Sequence, residues 1–232
     1  TLKNYPRAKL VQAAPVDIPE YGTFFQEDDE TKEGLVRRWE DIIARTGVVV
    51  NEREEVTSIK PASTGALITQ VNNEKEYRSR YVILAIGNRG TPRRLGIPGE
   101  QLERGGYLLV DAADYRDKNI LIVGGGNSAC EAALALSSPE LLNTVTLSYR
   151  RAVLRGVTPQ NSQDVDKAEE EGQLRFARGS QLREIRNTSV ILDTPEGEEE
   201  IPNDFIFALI GAELPTKFLR ATGIQLKKKG GA

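Results

Sequence analysis

The run NILIVGGGNSACEAALAL, residues 119–136, is an apolar segment that ends in three glycines and continues as an alanine-rich amphipathic stretch. This order predicts a buried β-strand, a tight loop and an α-helix, which is how a Rossmann-like dinucleotide-binding unit begins. A second apolar run, TVTLSY at residues 144–149, follows where a parallel strand would return. The sequence therefore predicts an α/β fold.

The six residues that follow the first strand directly match the pattern G-x-G-x-x-A. We call this segment, residues 124–129, the glycine loop. Gly124 permits a tight turn, Gly126 lets a pyrophosphate approach the main chain, and Ala129 keeps the helix close to the sheet. The first N–H groups of the helix can then meet the phosphates. A purely structural turn is the alternative. We expect a dinucleotide pyrophosphate to be held by Gly124, Gly125, Gly126, Asn127, Ser128 and Ala129.

Three arginines follow the second strand, namely Arg150, Arg151 and Arg155. No acidic residue occurs between this strand and Asp164. A protein that binds NAD usually has a carboxylate here for the ribose hydroxyls, whereas arginine suits the 2′-phosphate of NADP. We expect NADP(H), with its 2′-phosphate at the three arginines. The alternative is a solvated basic patch. Tyr149 either stacks on the adenine or packs on its neighbours at the strand end.

The composition excludes several classes of protein. The chain has 232 residues, 39% of them hydrophobic and 28% charged, and its net charge is −3. These values are typical of a soluble globular protein and predict no attraction to nucleic acid or anionic membranes. With no long apolar run or leader, we expect a cytoplasmic location. Because the chain has no histidine and a single cysteine, Cys130, we assign no catalytic side chain, metal site or internal disulfide.

The first half of the chain is predicted to contain loop, one helix and several strands. We interpret residues 1–30 as mostly loop. A helix follows from Thr31 to Gly47, with its buried face formed by Leu35, Trp39, Ile42 and Ile43. Predicted strands are VVVNERE, EVTSIK, ALITQVN and SRYVILAIG, and TPRRLGIPGE is a connector suited to a crossing between domains.

The second half repeats part of this pattern after a further predicted helix at residues 162–171. EVTSIK aligns with QLREIR, ALITQV with SVILDT, and YVILAIG with FIFALIG, so that Gly87 is equivalent to Gly211. With that offset, a counterpart of Gly124 would fall at or before Thr1. We therefore expect a first glycine loop to lie outside this sequence, which looks like a fragment. A chance likeness of two short β-meanders is the alternative.

These residues resemble the two-dinucleotide-binding flavoprotein reductases of the thioredoxin reductase type. ILIVGGGNSACEAALAL is similar to the family's nicotinamide-domain fingerprint. SYRRAVLR is similar to its histidine-Arg-Arg-x-x-x-Arg motif, with Tyr149 in place of histidine. YVILAIGNRGTPRRLGIPGE and DFIFALIG resemble its domain-crossing segments. The resemblance implies a three-layer (ββα) FAD/NAD(P)-binding fold, with a partial FAD domain at 1–104, an NADP domain at 105–220 and a tail at 221–232.

The resemblance also implies an activity. Hydride would pass from NADPH to FAD and on to a small-molecule or protein acceptor, with Gly211 beside the nicotinamide. The family's redox cysteine pair is absent from GYLLVDAADYRDK, residues 106–118, which favours the ferredoxin–NADP reductase branch. A homodimer is left open. The alternatives are a non-catalytic NADP(H)-binding or sensing module, an interaction domain that has lost the ligand, and a disulfide reductase whose redox cysteines lie outside this chain.

Overall fold

The computed structural model describes residues 10–11, 15–19, 21–24, 30–72, 74–87, 92–102 and 104–226. Its contacts separate the chain into two compact units. The first is formed by residues 1–46 and 94–210, and the second by residues 47–93 and 211–232. The boundary after residue 93 falls inside the predicted connector TPRRLGIPGE. The division into a partial FAD domain at 1–104, an NADP domain at 105–220 and a tail stays a prediction.

Strands and helices alternate one by one within residues 119–178, as an α/β fold requires, and consecutive strands make up most of the remaining elements. In chain order they are β1 (Leu10–Val11), β2 (Val16–Ile18), β3 (Gly22–Phe24), β4 (Glu30–Thr31), α1 (Lys32–Thr46), β5 (Val56–Pro61), β6 (Leu67–Val71), β7 (Lys75–Ser79), β8 (Gly105–Gly106), β9 (Asn119–Val123), α2 (Asn127–Leu136), β10 (Thr144–Tyr149), α3 (Pro159–Glu170), β11 (Leu174–Arg178), β12 (Gln181–Ile185), β13 (Ser189–Thr194), β14 (Gly197–Pro202), β15 (Phe205–Ala208) and α4 (Thr216–Ala221). No helix among the described residues is long and apolar enough to cross a bilayer.

A five-stranded sheet with the order β11-β10-β9-β15-β8 forms the centre of the first unit. Every neighbouring pair in it is parallel. The strand β9 lies in the middle, and both of its faces are covered by other layers, which explains why the run ILIV is apolar throughout. The predicted α/β fold is confirmed.

Alternate residues of the parallel sheet face two different layers. Ile120 and Ile122 pack with residues of α2 and α3, whereas Leu121 packs with residues of the antiparallel sheet β12-β13-β14. Leu121 and Ile122 are both fully buried, and burying a side chain of this size contributes about 1.5–3 kcal/mol. Helices, parallel sheet and antiparallel sheet therefore form the three layers (ββα) that the resemblance implied.

The predicted internal repeat is confirmed by two antiparallel sheets of the same order, β5-β6-β7 and β12-β13-β14. Each contains an irregularity in its first strand. One lies between Val56 and Ser58 and the other between Leu182 and Glu184. When EVTSIK is aligned with QLREIR, these two bulges coincide. A shared bulge is a specific backbone feature, so chance similarity of two meanders is a poor explanation.

The helix α1 matches its predicted limits but not its predicted buried face. The Thr31 hydroxyl accepts a hydrogen bond from the Gly34 N–H, and Gly47 follows the helix with φ of 65°. Leu35 and Ile42 are buried. The prediction for the other two positions was wrong, because Trp39 and Ile43 are each 38% exposed.

Two predicted strands in the second unit are also absent. Residues 48–54 and 81–87 have no strand structure, and Val49 and Ile83 are 83% and 90% exposed. Both segments have strand-like sequences, but a strand needs a hydrogen-bonded neighbour, and the described residues provide none for them. The related segment Phe205–Ala208 lies between two partners in the parallel sheet and forms β15.

Other differences are small. Residues 1–30, predicted as loop, contain the short strands β1, β2, β3 and the start of β4. The charged edge strand β7 was not predicted. The helix α3 begins at Pro159, before the predicted Ser162, because Thr158 caps it: its hydroxyl accepts from the Asn161 N–H. The lysine-rich part of the predicted tail, residues 227–229, lies outside the described residues.

Candidate functional site

The glycine loop begins where β9 meets both of its neighbours. Gly124 has φ of 151°, and a Cβ there would lie 2.5 Å from the Leu209 carbonyl oxygen and 3.1 Å from the Ala129 Cβ. Its N–H donates to the Ser148 carbonyl at 3.0 Å. The turn is therefore possible only without a side chain, and Ala129 is close because it is small, as the pattern predicted.

Gly125 is covered by an aromatic ring. A Cβ on Gly125 would lie 2.3 Å from Cδ2 and Cε2 of Tyr149, the last residue of β10. Tyr149 is half-buried and packs against the main core. Of the two alternatives for Tyr149, the structure supports packing at the strand end, and its contact there is the glycine loop itself.

Gly126 differs from the two glycines before it, because it is exposed and a Cβ there would meet nothing within 4 Å. It is the N-cap of α2 and makes no side-chain capping bond, while its carbonyl accepts from the N–H groups of Ala129 and Cys130. Ser128 is exposed on the first turn. Open space next to uncapped helical N–H groups is the arrangement that binds an anion.

The amide oxygen of Asn127 already has two hydrogen-bond donors. Its Oδ1 accepts from the Thr158 N–H at 2.8 Å and from the Asn161 Nδ2 at 3.0 Å. Because Oδ1 is an acceptor, a phosphate would be met by the donors of Asn127, which are its Nδ2 and its main-chain N–H. The sequence did not reveal this role of Thr158 and Asn161, although Thr158-Pro159 is a helix-start signal that would have placed them beside the loop.

Arg150, Arg151 and Arg155 lie between β10 and α3, in a segment that we call the arginine loop (residues 150–158). All three side chains are exposed. In the described part of the chain, none of their guanidinium groups forms an ion pair. By contrast, Arg178 at the end of β11 pairs with Asp166 and Glu169.

The edge of the sheet brings the two loops together. β9 and β10 are parallel, so their carboxyl ends lie side by side, with the glycine loop after one and the arginine loop after the other. The N–H groups of Gly179 and Ser180 donate to the carbonyls of Arg151 and Tyr149, both at 3.1 Å, and hold the first residues of the arginine loop against β11.

Gly211 lies in the second compact unit. It has φ of 91°, and its carbonyl accepts from the Arg93 N–H at 3.1 Å. The neighbouring residues Pro92 and Ala212 form an antiparallel bridge within the same unit. A place for Gly211 beside the nicotinamide stays a prediction.

Cys130 is unsuited to redox chemistry. The thiol is buried inside α2, and burial, together with the nearby Glu131 carboxylate, raises its pKa to about 11. A thiol with such a pKa is protonated at neutral pH and is a poor nucleophile. The described residues also contain no group of three His, Cys, Asp or Glu side chains that could hold a metal ion.

A model of the pyridine nucleotide-disulphide oxidoreductase family matches residues 13–232. The chain belongs to this family. The ferredoxin–NADP reductase of Ignicoccus hospitalis is 30% identical over 203 residues, which are 84% of this chain and 64% of that protein. The bacilliredoxin reductase Bdr of Bacillus subtilis is 29% identical over 163 residues, 68% of this chain and 49% of the relative.

Solved structures agree with the fold of this family member. Bacillithiol disulfide reductase Bdr from Bacillus cereus superposes with a TM-score of 0.88 and 21% sequence identity, covering 98% of this chain and 72% of its own. Thioredoxin reductase from T. acidophilum has a TM-score of 0.75 and 23% identity, and covers 99% of this chain and 71% of its own. The chain spans between about half and two thirds of the length of the two curated relatives.

Proposed function

We propose that this chain is the NADP(H)-binding part of an NADPH-dependent flavoprotein oxidoreductase. The arginines at the end of β10, which form no ion pair with the described residues, are the single observation that carries the choice of NADPH. Arg150 and Arg151 follow the strand directly, on the sheet edge that holds the glycine loop. No carboxylate is present there to receive ribose hydroxyls, since the first acidic residue after Tyr149 is Asp164.

The residues present suit the dinucleotide. Gly126 leaves open space at the N-terminus of α2, where the N–H groups of Asn127 and Ser128 would donate to the pyrophosphate. Gly124, Gly125 and Ala129 give the loop its tight path. Arg150, Arg151 and Arg155 would bind the 2′-phosphate. Each charge-assisted hydrogen bond of about 1.5–3 kcal/mol corresponds to about 10- to 150-fold in affinity, so two of them would dominate the choice of cofactor.

FAD is proposed for the intact protein from family membership and from the activities in the relatives' names. The described residues contain a single glycine loop between a parallel strand and a helix, so they do not by themselves form a flavin site, and we assign no step to them there. When bound together, NADPH and FAD would supply the hydride transfer. Gly211 beside the nicotinamide is part of this proposal.

The electron acceptor would be a small molecule or a protein. Cys130 is the only cysteine of this chain, and it is buried with a raised pKa, so the chain offers no redox disulfide of its own. This favours direct transfer from the flavin, as in a ferredoxin–NADP reductase. A disulfide reductase with redox cysteines elsewhere is the second candidate, because relatives include proteins named bacilliredoxin reductase and thioredoxin reductase. A homodimer and a cytoplasmic location also stay predictions.

Spectroscopy of the purified intact protein tests the proposal. We expect a flavin absorption band that bleaches under anaerobic conditions when NADPH is added, and that bleaches far more slowly with NADH at the same concentration. Protein that stays colourless after incubation with excess FAD would contradict the flavoenzyme proposal. Equal rates with both nucleotides would contradict the assignment of the arginines.

A further inference from the structure

The glycine loop and the arginine loop are joined by one side chain. Asn127, the first residue of α2, accepts the N–H of Thr158 at 2.8 Å and a side-chain N–H of Asn161 at 3.0 Å. Thr158 is the N-cap of α3, and Asn161 lies in its first turn. The amide oxygen of Asn127 therefore ties the start of α2 to the start of α3.

This tie fixes the far end of the arginine loop. The near end is already held, because the carbonyls of Tyr149 and Arg151 accept from Ser180 and Gly179 in the segment after β11. The far end of the loop is Thr158, whose N–H donates to the Oδ1 of Asn127. The exposed cations of Arg150 and Arg151 lie at the near end, and the exposed cation of Arg155 lies between the two ends. A loop held at both ends loses less conformational freedom when it binds a ligand, and this saving appears as affinity.

We infer that Asn127 is a positioning residue that sets the preference for NADPH over NADH, because it holds the arginine loop at a fixed place beside the glycine loop. The inference rests on the proposed function. Asn127 acts on the preference through its Oδ1, which accepts from Thr158 and Asn161, whereas a contact from its Nδ2 or main-chain N–H would reach the pyrophosphate that NADPH and NADH share. A neutral acceptor is suited to this place, because a carboxylate at the N-terminus of α2 would repel the pyrophosphate.

The test measures the ratio of the NADH and NADPH dissociation constants by calorimetry with the whole chain. Asn127→Ala removes both bonds and frees the far end of the arginine loop, so we expect the ratio to fall by about tenfold. The fragments 2′,5′-ADP and 5′-ADP should show the same change, since they differ at the 2′-phosphate. Gln160→Ala is the matched control: it removes an amide from the same turn of α3 that bonds Asp164 instead of α2, and the ratio should not change.

Two further variants separate positioning from general damage to the fold. Asn127→Asp keeps the acceptor oxygen but adds a charge, so NADPH and NADH should weaken by similar factors and the ratio should be kept. In a chain that carries Arg150→Ala, Arg151→Ala and Arg155→Ala, Asn127→Ala should have no additional effect on the ratio, because the cations that it positions are gone.

The outcomes distinguish this inference from the proposed function. If the unaltered chain binds NADPH no better than NADH, the proposed function fails. If it prefers NADPH and Asn127→Ala keeps the full preference, the positioning role is overturned while the proposed function stands. If Asn127→Ala does not fold, Asn161→Ala carries the test: it removes one of the two donors and should lower the ratio by a smaller factor, and an unchanged ratio would overturn the role.

Discussion

The ring of Tyr149 lies against the main chain of Gly125, so closely that a Cβ on Gly125 would be 2.3 Å from two ring carbons. Two of the three glycines in the glycine loop, Gly125 and Gly126, thus have different reasons to be glycine. Gly125 is required by a side chain from the next strand, whereas Gly126 borders open space. The same substitution, glycine to alanine, should therefore have different effects at the two positions.

Gly125→Ala is expected to destabilise the fold by about 1–3 kcal/mol, since the added methyl group must displace the ring of Tyr149. Gly126→Ala should leave the free energy of unfolding within about 0.5 kcal/mol of the unaltered protein, because its methyl group meets no atom. It should instead weaken NADPH and NADH equally. Urea unfolding and calorimetry measure the two effects. Gly125→Ala combined with Tyr149→Ala should destabilise the fold by less than the sum of the two single losses; additive losses would contradict the ring contact.

Arg150→Ala is expected to weaken NADPH by about 10- to 150-fold and to change NADH by less than about threefold, since only NADPH carries the 2′-phosphate. Arg183→Ala is the matched control. It removes the same charge from β12, where Arg183 pairs with Asp193 and Glu198. Dissociation constants of both nucleotides for both variants make the comparison. Equal losses of NADPH and NADH on Arg150→Ala would mean that the arginine supports the loop without contacting the phosphate.

The Asp204 carboxylate should contribute stability that depends on pH. It accepts from the N–H of Asn119 at 2.7 Å and from the Asn119 side chain at 3.1 Å, and the main-chain bond is the largest cause that lowers its pKa. A lowered folded-state pKa means that the contribution is present above about pH 4, the unfolded value, and is lost as the pH falls through the folded value. Asp204→Asn should therefore cost about 1 kcal/mol at pH 7, and this difference should shrink below pH 4. A difference that is constant across this range would contradict the charge effect.

Cys130 should be unreactive in the folded protein. With a pKa of about 11, roughly one thiol in a thousand is ionised at pH 8, and the side chain is fully buried. Labelling with iodoacetamide at pH 8 should be slow in buffer and rapid in concentrated urea. Mass spectrometry of the labelled protein measures both rates. Fast labelling of folded protein would show that α2 opens locally, and it would remove the main objection to a redox role for this cysteine.

Much of the fold could be predicted because the strongest patterns are local. Six strands, β5, β6, β9, β10, β12 and β13, match their predicted limits within one residue, since each is a short β-type run bounded by turn residues. Pairing is not local. YVILAIG and FIFALIG have similar sequences, yet only the second forms a strand, because only it has neighbours in the described structure.

The site shows the same limit. The glycine pattern predicted the tight turn at Gly124 and the close approach of Ala129, because these depend on residues near in sequence. The contact between Gly125 and Tyr149 and the bonds from Asn127 to Thr158 and Asn161 join residues more than 20 positions apart. A side chain of asparagine in a glycine loop suits a phosphate contact as well as a bond to another helix, and only the three-dimensional arrangement shows which partners it has.

The matching bulges of β5 and β12 provide a fixed reference point for aligning the two antiparallel sheets. Sequence alone aligns the hairpins with small shifts, because loops between the strands differ in length. The break in register at Val56–Ser58 and at Leu182–Glu184 is a backbone landmark that does not depend on side-chain identity. Counting outward from it gives each residue of one sheet a defined counterpart in the other, so that substitutions can be exchanged between the copies position by position.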